Sequence, residues 1–301
     1  MRLTSYFIAA FLISTATITR GESSFSFAFL TDIHLQPERD ADKGFLKAID
    51  TVNSLAPDFV LTGGDLIMDA LYVTHGRADS LFKLYKETSA NITVPVYNTP
   101  GNHEYFGLSD KYDSTHADYA ENMYKRYFGD NYYSFDHKGW HFIVLDAVDV
   151  NTNSEVKSAY VGHIDDEQLE WLKTDIANVN VETPIVMVTH IPFLNASLQI
   201  RGGAPPANLI VDNAIEVLTI MGKHNLKLVL QGHVHNLEEI SLNNRVKFIT
   251  GGAVCAKWWK GPFLKNTAME MQEGFLMIHI NGEEIDWDYI DYGWEAKKKK
   301  K

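Results

Sequence analysis

The chain has 301 residues, 45% of them hydrophobic, and carries 27 basic against 39 acidic side chains for a formal charge of −12. Such a surface repels polyanions, so long nucleic acid is not expected as a substrate. The single Cys255 leaves no partner for an internal disulfide, and a chain of this length buries a core that needs none.

Residues 1–21 have the pattern of a cleaved secretory signal. Arg2 precedes an apolar run over 6–13 and then small residues, with Ser14-x-Ala16 or Thr19-x-Gly21 meeting the small-residue cleavage rule. The run is too short to span a bilayer and no later stretch approaches that length, so an exported protein without a membrane span is expected. No Pro/Gly/Ser-rich linker interrupts the remaining sequence, which reads as one domain over 22–296. The lysines at 297–301 read as a solvated, disordered tail.

A strand over 26–31 leads to an amphipathic helix over 43–55, with Phe45, Leu46, Ile49, Val52 and Leu55 at helical spacing. A strand at 58–62, a helix at 76–89 carrying Leu81, Leu84 and Tyr85, and a strand at 94–99 continue a β-α-β-α-β pattern that favours parallel pairing. The aromatic-rich stretch 105–128 reads as loop then helix, and YYSFDHKGWHFIVLDAV as two strands turning at His137-Lys138-Gly139. Asp165-Asp166-Glu167-Gln168 has the form of a capping box opening a helix. A strand at 185–189, a glycine-rich loop at 195–208, a helix at 211–224 and a strand at 226–230 come next. The segments LEEISL, RVKFITGG, GFLMIHI and EIDWDYI then suit short antiparallel strands. The fold class expected is α/β, with two sheets flanked by helices.

Five of these strands run into residues with metal-ligand chemistry. FAFLT leads to Asp32 and His34, DFVLTG to Asp65, VPVYNTP to Asn102, PIVMVT to His190, and LKLVLQ to His233 and His235. Parallel strands deliver their C-terminal ends to a shared crevice, which brings residues distant in sequence together. Carboxylate, imidazole and amide without thiolate suit a divalent ion such as manganese, iron or zinc, and seven such residues are too many for one ion. The order D-x-H, GD, GNHE, H, GHxH, running from about residue 25 to 240, closely resembles the calcineurin-like metallophosphoesterase family.

That resemblance implies a four-layer αββα sandwich and two divalent metal ions (Mn, Fe or Zn). Asp32, His34, Asp65 and His235 would hold one and Asp65, Asn102, His190 and His233 the other, with Asp65 as the bridge. It implies hydrolysis of phosphate esters by a metal-bridging hydroxide, with His103 protonating the departing alkoxide and Glu104 orienting its imidazole. The similar purple acid phosphatase branch has a tyrosine three residues after the bridging aspartate and no histidine at the place of His34. This chain has Met68 there, so a charge-transfer iron site is not expected.

The substrate class implied is a small or lipid-linked phosphate ester, with a phosphodiester slightly favoured over a phosphomonoester. The other readings are a monoesterase and a non-catalytic metal-binding or interaction scaffold on the same fold. Candidate substrate contacts are Arg201, set against a merely solvated arginine, and Trp258 and Trp259 with Phe263, set against a packing role. Cys255 reads as a buried apolar residue. His75, His116, His137, His141, His163, His224 and His279 have no partner at ligand spacing; His116 and His163 are the two whose loops are placed nearest the site.

Overall fold

The computed structural model describes residues 24–108, 112, 114–256 and 272–295, with Arg201 described in its backbone only. The first half contains β1 (Ser24–Leu30), α1 (Ala41–Leu55), β2 (Phe59–Thr62), α2 (His75–Ser89) and β3 (Val96–Tyr97), then α3 (Asn122–Phe128), β4 (Tyr133–His137) and β5 (Trp140–Val144). A ribbon of β6 (Val148–Val150) and β7 (Tyr160–Gly162) precedes α4 (Asp166–Ala177), β8 (Pro184–Val188), α5 (Ala196–Gly202) and α6 (Ala214–Met221). The chain continues through β9 (Asn225–Gln231), β10 (Glu238–Leu242), β11 (Val246–Thr250), β12 (Phe275–Asn281) and β13 (Glu284–Ile290).

Alternation along β1 shows why two sheets form. Phe25, Phe27 and Phe29 point to one side and Ala28 and Leu30 to the other, and both sides are buried. One sheet has the order β13-β12-β1-β2-β3 and the other β10-β11-β9-β8-β5-β4. Between them lies a core fed from both, in which Phe27 stacks on Phe59 with ring centroids 4.9 Å apart and meets Phe142 of the opposite sheet edge-on at 5.6 Å. On the outer face of the first sheet, Phe45, Ile49, Phe82, Tyr85 and Tyr124 bring in α1, α2 and α3. On the outer face of the second, Leu169, Leu172, Ile176, Val217 and Met221 bring in α4 and α6. The result is the αββα sandwich.

Several elements differ from the sequence reading for local reasons. β3 is two residues long, because Pro95 and Pro100 have no N–H to add to the ladder at a sheet edge. Asp165 does cap α4, accepting from the Gln168 amide, but the Gln168 side chain turns away to bond the backbone N–H and carbonyl of Asp146. Part of the expected 195–208 loop is the helix α5. Asn195 caps it, and both Glu238 oxygens accept from the first-turn amides of Ala196 and Ser197. α6 is shorter than read, since Val211 is used in a bridge to Gly162. β11 is antiparallel to β10 but parallel to β9.

Candidate metal centre

All seven expected ligands lie where the carboxyl ends of β1, β2 and β3 meet those of β8 and β9, one group from each sheet. The loops there are stitched together by backbone bonds: Asp32 N–H to the Gly64 carbonyl, His34 N–H to the Asp65 carbonyl, and Gly232 N–H to the His190 carbonyl. Close approach explains the glycines of GN and GH. A Cβ on Gly101 would overlap the Asp65 backbone nitrogen, and one on Gly232 the Thr31 hydroxyl. Asp32, His34, Asp65, His233 and His235 have φ between 46° and 73°. This left-handed conformation costs roughly 1–2 kcal/mol for each non-glycine residue, a strain concentrated on the residues whose side chains must turn inward.

Two groups have ligand atoms within 4.8 Å of one another and are able to hold a metal ion: Asp32, His34, Asp65 and His235, and Asp65, His190 and His233. Asp65 belongs to both. Its Oδ1 accepts from the His103 amide, while Oδ2 lies 3.4 Å from His34 Nε2 and 3.2 Å from His190 Nε2. In the first group, His235 Nε2 is 3.0 Å from Asp32 Oδ1 and 3.0 Å from His34 Nε2. In the second, His190 Nε2 is 3.2 Å from His233 Nδ1 and 3.2 Å from Asn102 Oδ1, which places Asn102 with this group.

The far side of three of the four rings decides what faces inward. A carbonyl only accepts, so His190 Nδ1 donates to Gly63 O at 2.7 Å, His233 Nε2 to Asn208 O at 2.9 Å and His235 Nδ1 to Ala256 O at 3.2 Å. The opposite nitrogens then turn lone pairs toward one another and toward carboxylate oxygens, an arrangement that needs positive charge among them. Where no cation lies among them, a proton on His190 supplies that charge. Burial alone would depress His190, but Asp65 outweighs it and pushes the imidazole up to about 9. Burial and the His190 charge hold His233 down to about 3. Burial would raise Asp32, yet His235 keeps it at about 2. The donor set fits two divalent cations.

The family model of the calcineurin-like phosphoesterases matches residues 25–237. The chain belongs to that family. It is 23% identical over 265 residues to a probable cyclic nucleotide phosphodiesterase from Fibrobacter succinogenes, covering 87% of this chain and 85% of that one. It is 26% identical over 220 residues to a probable glycerophosphodiester phosphodiesterase from Arcobacter nitrofigilis, covering 71% and 70%. A dimetal phosphatase from Danio rerio has the same fold, with a TM-score of 0.58 at 15% identity over 89% of this chain and 99% of that one. As a calcineurin-like phosphoesterase the chain is a hydrolase of phosphate esters.

In this phosphoesterase His103 sits at the join of the two groups. Its ring packs edge-on against His34 at 4.7 Å, and Nε2 is 3.8 Å from Asp65 Oδ2. Glu104 is turned elsewhere: Oε2 accepts from the Gly101 and Asp65 amides and Oε1 from the Ile67 amide, so the side chain braces the ligand loops. Burial, with the Asp65 charge, pushes this carboxyl up to about 8. The carboxylate beside His103 Nδ1 is Asp69 Oδ1, at 3.7 Å, a residue the sequence reading passes over. Arg201 lies on α5, its side chain not described. Trp258, Trp259 and Phe263 lie outside the described residues. His163 pairs with Asp212 at 2.7 Å and His116 lies against His75 and Phe106, and neither belongs to the two groups able to hold a metal ion.

Proposed function

We propose that the chain is a binuclear metal-dependent phosphoesterase that acts on small or lipid-linked phosphate esters and prefers diesters to monoesters. The observation that carries this reading is two ligand groups sharing Asp65 Oδ2, with His103 at their join. Asp32, His34, Asp65 and His235 hold one divalent ion, manganese, iron or zinc, and Asp65, Asn102, His190 and His233 hold the other. When bound, two such ions supply Lewis acidity to a phosphate oxygen and lower the pKa of a coordinated water.

The residues of the chain do the positioning. Asp32 and Asp65 together carry less negative charge than two dications carry positive, so an anionic phosphate is drawn to the crevice although the protein as a whole is acidic. His103, 6% exposed, protonates the leaving oxygen, with the Asp69 carboxylate 3.7 Å from its Nδ1. The diester preference is supported by the relatives from Fibrobacter and Arcobacter, both named phosphodiesterases. Export is supported by the signal-like pattern of residues 1–21, which lie outside the described residues.

The test is hydrolysis of bis-para-nitrophenyl phosphate against para-nitrophenyl phosphate by metal-stripped protein reloaded with manganese, zinc or iron. Faster turnover of the diester is expected. A monoester preference would reverse the substrate assignment, and inactivity on both with two ions bound would favour a non-catalytic scaffold.

A further inference from the structure

His233 presents Nδ1 to the second ligand group only because its Nε2 donates to the Asn208 carbonyl at 2.9 Å. Asn208 lies between α5 and α6, in a segment with no strand or helix of its own, so something else must fix that carbonyl. The bonds lead to Gly162, the last residue of β7. Its N–H donates to Ala207 O at 2.8 Å, and its carbonyl accepts from Asp212 N–H at 2.9 Å, one grip on each side of Asn208. Further bonds hold the same segment: Val211 N–H to the Pro192 carbonyl at 3.0 Å, and His163 Nδ1 with Asp212 Oδ1 at 2.7 Å. The Asn213 side chain spans Ile164, accepting from its N–H at 3.0 Å and donating to its carbonyl at 2.8 Å. Tyr160, two residues before Gly162, stands edge-on to the His233 ring at 6.3 Å.

Gly162 has no room for a side chain. A Cβ there would overlap the Ile210 carbonyl oxygen and meet Ile191 Cγ2 at 2.9 Å. Its φ is not in the left-handed region, so alanine would not strain the backbone of residue 162 itself; the new methyl would press on the segment that carries Asn208.

We propose that Gly162 is a positioning residue for His233: by gripping residues 207–212 against the β6–β7 ribbon it sets the tautomer and plane of that imidazole, and with them the affinity of one of the two metal positions. The inference rests on the binuclear reading. It assigns to a ribbon that supplies none of the seven candidate ligands a control over only one ion. Loss of a partner behind a ligating histidine weakens metal binding about 10–100-fold.

The experiment is calorimetric titration of manganese or zinc into metal-stripped wild type, Gly162→Ala and Asn213→Ala, with circular dichroism to establish folding. Wild type should take up two ions in two steps. Each variant should keep one step unchanged and shift the other weaker by about 10-fold or more. Two unshifted steps in a folded variant, or equal weakening of both, would overturn the inference. Should Gly162→Ala not fold, Asn213→Ala, which only deletes two hydrogen bonds, decides by the same criterion. Uptake of fewer than two ions by wild type is a separate result: it overturns the binuclear reading and this inference with it.

Discussion

Asp32, His34, Asp65 and His235 are 0–5% exposed and combine two carboxylates with two imidazoles. Their neighbours differ. His190 is buried but His233 is partly open, and beyond the shared Asp65 this second group adds only the neutral amide of Asn102. A dication in the first group would face two carboxylates in a buried site, where Coulomb attraction is weakly screened; one in the second would face a single shared carboxylate beside the partly exposed His233. The difference predicts that an ion in the enclosed group is held more tightly than one in the partly open group.

The largest effect is expected at Asp65, the residue the two groups share. Asp65→Asn should release both ions and lower kcat/KM by more than about 10⁴-fold, beyond what loss of a general acid alone produces. Metal analysis with a phosphodiester assay checks this, and two retained ions with normal turnover would rule out the bridge. His103→Ala should leave both ions in place and slow alkyl esters by about 10²–10⁴-fold, with aryl esters affected less because their leaving groups need no proton. Asn102→Ala sharpens the contrast. It should weaken only the second ion, by about 10-fold or more, so that chelator removes one equivalent early and the other late.

The smallest effect is expected away from the ligands. Asp146, just after β5, accepts from the Tyr105 hydroxyl at 2.8 Å and the Asn131 amide at 2.7 Å, and burial pushes its carboxyl up to about 7. Its folded value exceeds the ordinary 3.8, so the folded state binds the extra proton and stability falls as pH rises between about 4 and 7. Asp146→Asn should flatten that part of the profile relative to wild type, as read from urea midpoints at pH 4.5 and 7.5. An unchanged slope would show that Asp146 is ionised throughout.

The clustering of the candidate ligands is legible in sequence because each lies within a few residues of the end of a strand that pairs in parallel, and five such ends in order leave little freedom. Glu104 is not, since adjacency to His103 says nothing about direction. On the 3-10 turn Asn102–Glu104 successive side chains diverge, and Glu104 returns to the amides of Gly101, Asp65 and Ile67. Asp69 does leave a trace, an acid four positions past Asp65 in GDLIMD, but only the bend after β2 brings it to His103. The two three-residue strands β6 and β7 are too short for alternation to register, and the need for glycine at 162 arises from a segment 48 positions away, Ile210.

One pairing in the first sheet bears on how the protein is made. β1, which delivers Asp32 and His34, lies between β12 and β2, and its ladder to β12 runs from Ser24–Asn281 to Phe29–Leu276. During synthesis every candidate ligand residue is in the chain once His235 is added, yet the strand beneath Asp32 lacks one of its two neighbours until residues 275–281 are made. Long-range pairing of this kind closes late, so the centre is expected to be completed only once nearly the whole chain is made. A nascent chain halted before β12 would carry all seven candidate ligand side chains without the pairing that supports Asp32.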